Sequence, residues 1–110
     1  MADFKNAFAN SVSNSSATTV YTSPASKTSI LLELDLSNKT GSDVTVDVTI
    51  TDNSNSDTAS TLGNDLPIPA GGTLKVVEGQ KIVLMAQDAI KVLASAGSAV
   101  DAIASVLEDV

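Results

Sequence analysis

The stretch Val44-Thr45-Val46-Asp47-Val48-Thr49-Ile50-Thr51 alternates without a break. Aliphatic side chains hold every even position, and Thr or Asp every odd one. A period of two puts the two sets on opposite faces of a strand. Such a strand is half-buried and needs a second apolar layer to cover it. Just upstream, Ile30, Leu32, Leu34 and Leu36 alternate with Leu31, Glu33 and Asp35. Between the two lies Asn38-Lys39-Thr40-Gly41-Ser42-Asp43, a cluster of turn formers. The pattern predicts an antiparallel hairpin whose two apolar faces point at one core.

Shorter strands are predicted around this pair. Residues 18–22 are β-branched and aromatic, and Ser23-Pro24 stops them. A weaker strand is expected at 58–62. The run Leu66-Pro67-Ile68-Pro69 reads as a sheet edge or a connection, because proline cannot donate to a central ladder. Leu74 and Val76 alternate, and Ile82 and Leu84 begin another strand after the turn Glu78-Gly79-Gln80. The last quarter reads two ways. As strands, Ile90, Val92 and Ala94 share one face, and Val100, Ala102, Ala104 and Val106 share another. As helices, the alanines are favourable and Ser98 to Asp101 resembles a capping box. Short strands at regular spacing elsewhere favour strands, the pattern of a sandwich or barrel.

The expected fold is all-β: a single antiparallel β-sandwich of about seven or eight short strands, Ig-like or jelly-roll-like. Residues 1–17 are polar and small, with Phe4 and Phe8 their large apolar side chains. They are expected to form an extended N-terminal arm, with 18–110 as the sandwich domain. Docking of Phe4 and Phe8 on a partner would order that arm. Leu31 and Leu93 fall on the predicted outer faces, which makes them candidate subunit contacts.

Composition removes much of the functional menu. The 110 residues contain no Cys, His, Arg or Trp. That excludes a thiolate nucleophile, a zinc–cysteine site, the commonest general base and the bidentate fork for phosphate. The formal net charge of -7 repels nucleic acid. No apolar run approaches the roughly 20 residues of a membrane-spanning helix. The opening Met-Ala-Asp-Phe-Lys-Asn lacks an apolar signal-peptide core, so synthesis and assembly in a cytoplasm are expected.

Two acidic constellations remain. Asp52, Ser54, Ser56 and Asp57 offer oxygens at near-alternate positions, as calcium loops do. The EF-hand template wants Gly at its sixth position and Glu at its twelfth. Asp57 and Gly63 stand there instead, so a solvated loop is expected at 52–57. Glu33 and Asp35 form a carboxylate pair beside Asp43 and Asp47. Acid–base chemistry of the glycosidase kind needs a cleft and aromatic platforms, and Tyr21 is the one tyrosine. No enzyme activity and no cofactor are expected. A carbohydrate-binding module is disfavoured for the same want of aromatic platforms.

The run Ala17-Thr18-Thr19-Val20-Tyr21-Thr22-Ser23-Pro24-Ala25, followed by Lys27-Thr28-Ser29-Ile30, resembles the opening of small virion proteins of tailed bacteriophages. Ile68-Pro69-Ala70-Gly71-Gly72-Thr73-Leu74, Lys81-Ile82-Val83-Leu84, Asp88-Ala89-Ile90-Lys91-Val92 and Ser105-Val106-Leu107-Glu108 continue the likeness in order. One departure is Gln87, where that family usually has Gly before the Asp. The resemblance implies strands for 88–95 and 100–107 and a sandwich built into a virion without catalysis. It implies a capsid decoration (cement) protein bridging major capsid subunits on the outer capsid surface, or a neck- or tail-attached adaptor. The implied partners are the major capsid protein or other virion proteins, with a homo-oligomer, a trimer, as the expected state.

Overall fold

A computed structural model of the chain describes residues 2–109. Eight strands follow one another: β1 (Asp3–Ala9), β2 (Thr18–Thr22), β3 (Ser29–Asn38), β4 (Val44–Asp52), β5 (Thr58–Ile68), β6 (Thr73–Leu84), β7 (Ala89–Ala94) and β8 (Val100–Glu108). They form two four-stranded antiparallel sheets, ordered β1-β8-β3-β6 and β2-β7-β4-β5. Consecutive strands are neighbours in a sheet once, at β4–β5, and every other connection crosses between sheets. An immunoglobulin-type sandwich keeps its hairpins within sheets. This ordering is the jelly roll, two interlocked Greek keys.

The predicted hairpin of β3 with β4 is therefore corrected. The two strands lie in different sheets and face each other across the core. Both apolar faces do point at one interior, but from opposite sides. Asn38 ends β3 where the chain crosses over. Its buried side-chain amide donates to the carbonyls of Ser42 (2.7 Å), Ile68 (3.0 Å) and Pro69 (3.2 Å). Its Oδ1 accepts from the backbone N–H and the hydroxyl of Thr40. A buried side chain that bonds three carbonyls at once, the innermost that of Ile68, helps to hold the crossover.

The alternation in β3 is also corrected. Both pairings of the strand shift register between Leu31 and Glu33, which marks a β-bulge. The extra residue reverses the phase of what precedes it. Leu31, Leu34 and Leu36 are fully buried, whereas Ile30 and Leu32 lie half-buried on the outer side. In β4, Val44, Val46 and Val48 point inward as expected. Ile90, Val92 and Ala94 of β7 and Val100, Ala102, Ala104 and Val106 of β8 are buried as their strand reading required. Ser98, the first residue of the capping-box pattern, sits in the turn before β8 with φ 57°. Packing across the sandwich overrides the helix preference of the alanines.

The stretch expected as an arm contributes more than an arm. Asp3–Ala9 pairs with β8 along its whole length, and Val12 is fully buried. At that end a polar network ties the two sheets together. The Tyr21 hydroxyl donates to Glu108 Oε2 at 2.6 Å and lies 3.0 Å from the Ser29 hydroxyl. Lys5 Nζ sits 2.8 Å from Glu108 Oε1. Ser29 in turn meets the buried Ser23 hydroxyl at 3.0 Å.

Candidate functional site

The outer face of the β1-β8-β3-β6 sheet is the candidate. Registers place its residues in three rows across the four strands. Phe4 stands opposite Leu107, Leu107 opposite Ile30, and Ile30 opposite Val83. One step along the strands, Asn6, Ser105, Glu33 and Glu78 are aligned. The third row is Phe8, Ile103, Asp35 and Lys75. Phe4 is 79% exposed, Phe8 64%, Val83 57% and Ile103 42%. Scattered apolar residues are ordinary on a surface. A row of large apolar side chains running across all four strands, with an exposed Phe8–Ile103 pair beyond it, is not, and clustered exposed apolar residues of that kind mark interaction sites.

The middle row supplies charge. Asp35 and Glu78 beside Glu33 hold its carboxyl above the usual carboxylate range, Asp35 being the main cause. Lys75 approaches Asp35 Oδ1 only to 3.9 Å, and that oxygen is buried without a hydrogen bond. The β3–β6 side of the face thus has an acidic cluster with one loosely held lysine, bordered by the apolar row of Phe4, Leu107, Ile30 and Val83 and by the Phe8–Ile103 pair. At the β1 side the Ser105 hydroxyl donates to Asn6 Oδ1 at 2.8 Å. A groove lined by Phe4, Asn6, Leu32 and Ser105 has a volume of about 250 Å³. That is below the roughly 300–1,000 Å³ of small-molecule pockets, so the face suits a surface better than a metabolite.

Of the four residues expected to meet partners, Phe4 and Phe8 are on this face. Leu31 is not: the bulge turns it into the core, fully buried, so it is no surface contact. Leu93 lies half-buried on the opposite sheet, where it pairs with Asp47. Leu31 and Leu93 therefore do not meet. Ile103, Leu107 and Val83 were not singled out from the sequence. The signal for the first two was present: an inward Val100, Ala102, Ala104 and Val106 sends the odd positions of β8 outward.

The acidic loop at 52–57 is a short 3₁₀ turn, Asn53–Asn55. Asp52 Oδ1 accepts from the backbone N–H (3.1 Å) and the hydroxyl (2.6 Å) of Ser54, and Asp57 Oδ1 accepts from the Asn53 amide at 3.1 Å. Its carboxylates serve the turn itself. Among the described residues no group of three or more Asp or Glu side chains is placed to hold a metal ion. No protein-family model matches the chain, and no curated protein does.

Proposed function

We propose that this chain is a non-enzymatic structural protein of a tailed-phage virion, a capsid decoration protein that bridges major capsid subunits from the outer surface. The observation that carries the reading is the outer face of the β1-β8-β3-β6 sheet. It is an exposed apolar surface with an acidic cluster on a small, acidic jelly roll. Jelly rolls are common among viral structural domains, though the fold by itself assigns no role. The order of short motifs along 17–108, similar to that of small phage virion proteins, supports the same reading. A capsid surface with apolar residues around a lysine or arginine would match the face, because the charges of Glu33, Asp35 and Glu78 favour a cation opposite them.

Quantitative mass spectrometry of purified virions from the phage that encodes the chain tests the proposal. Decoration predicts copies in the hundreds per particle. About six to twelve copies would move the protein to the neck or tail, where rings of that symmetry are assembled. Absence from the particles would remove the virion reading altogether.

A further inference from the structure

Each sheet has two edges, and an open edge offers unpaired N–H and C=O groups to another strand. Three of the four edges here carry features that discourage such pairing. β2 is five residues long and is bulged between Thr19 and Tyr21. β5 contains Pro67, and its pairing with β4 shifts register twice. β6 exposes Lys75 and Lys81 and turns through Gly79 at φ 81° beside a register shift. β1 differs. Its seven residues pair with β8 in one unbroken register, with no proline and no bulge, and its one lysine, Lys5, is ion-paired to Glu108 of β8.

The side chains of β1 are also matched to a particular partner. Phe4, Asn6 and Phe8 point outward, as their opposites Leu107, Ser105 and Ile103 do. That series reads the same in both directions about Asn6. We propose that β1 pairs antiparallel with β1 of a second copy of this chain, about a two-fold axis between the two Asn6 residues. Phe4 then lies opposite Phe8 of the second copy, twice over, and aromatic cross-strand pairs favour such a ladder. All seven residues of each strand are used. Centring the pair on Lys5 would set two ammonium groups directly opposite, which disfavours it. Centring it on Ala7 would pair Phe8 with Asn6 and use a shorter ladder. In the Asn6 register Lys5 faces Ala7 of the second copy and stays neutralised by Glu108 of its own chain.

The contact is isologous and closes as a dimer, in place of the trimer expected from the sequence. It joins two four-stranded sheets into one of eight strands with both apolar outer faces on the same side. The inference concerns the purified protein and does not rest on the virion reading, so either can fail alone.

The absence of cysteine makes the test clean. Facing residues in an antiparallel pair have Cα atoms about 4.5 or 5.5 Å apart, and a disulfide spans either distance. With oxidised glutathione as the oxidant, N6C is expected to form a disulfide-linked dimer. Its rate should exceed that of S60C, a control on the exposed face of β5, by about tenfold or more, because pairing raises the effective concentration. F4C mixed with F8C should cross-link with each other more than either does with itself. Light scattering on the wild type should give twice the chain mass. F4K/F8K should give the chain mass while keeping the wild-type circular dichroism. A wild type that is monomeric at every concentration, equal rates for N6C and S60C, or preferred self-cross-linking of F4C would each overturn the proposal.

Discussion

Gln87 occupies the turn between β6 and β7 with φ 64°, in the left-handed region. A side chain there crowds the following carbonyl at a cost of roughly 1–2 kcal/mol, which glycine escapes. The turn holds because its neighbours fix it. The Gln87 N–H donates to the Ser23 carbonyl at 2.9 Å, and Asp88 accepts from the N–H groups of Met85 and Asn53. Gln87→Gly is therefore expected to stabilise the protein by about 0.5–1 kcal/mol, with part of the gain offset by the greater freedom of the unfolded glycine chain. Thermal unfolding should show a rise of about 2–5 °C, and an unchanged or lower midpoint would count against this account of the turn.

At the scale of elements, the bulge in β3 decides which leucines hold the core. Leu31→Ala is expected to cost about 2–5 kcal/mol, as full burial and a residual cavity require. Leu32→Ala, half-exposed at the bulge, should stay within about 1 kcal/mol. Chemical denaturation of the two variants checks the phase, and the reverse ranking would place the bulge elsewhere. The sequence showed a strand over 30–36, because Leu34 and Leu36 alternate with Glu33 and Asp35. It did not show the bulge, because Ile30, Leu31 and Leu32 are all aliphatic and fit either phase. Likewise β3 and β4 were legible one by one, but not their separation into two sheets. That depends on the Asn38 amide reaching the carbonyl of Ile68, thirty residues along the chain, a contact made only at the crossover. Of the candidate surface, Phe4 and Phe8 stood out because their neighbours are polar or small. Val83 did not, since its neighbours Ile82 and Leu84 made it look like core.

Over the whole molecule, charge sets how stability varies with pH. The ammonium of Lys5 and the hydroxyl of Tyr21 hold Glu108 below its usual value of 4.5, and the Ser11 N–H and Lys39 hold Asp101 below 3.8. Groups lowered on folding stabilise above their unfolded pKa, and that contribution is lost as pH falls through the folded value. Glu33 works the other way, since its protonation relieves repulsion with Asp35 and Glu78. On the alkaline side, burial and Glu108 push Tyr21 up from 10.0 to about 12, and Glu108 raises Lys5 above 10.5. Raised groups stabilise fully below their unfolded pKa, and that contribution is lost as pH rises through the folded one. Melting temperature followed across pH should fall at both extremes. Glu108→Gln should flatten the acid limb, and Tyr21→Phe should remove the phenol from the alkaline one and cost about 1–2 kcal/mol near neutrality. An acid limb unchanged in Glu108→Gln would mean that other carboxylates set it. The position of β8 has a consequence in time as well. It is the last strand in chain order, yet it lies between β1 and β3. A ribosome delivers those two strands well before the one that must separate them. During that interval both present open edges, and Leu31, Leu34 and Leu36 have no complete sheet around them. Closing so many distant pairings belongs to the slow, millisecond-to-second class of folding. Many copies emerging together would face a period in which a neighbour's strand competes for the vacancy that β8 is destined to fill.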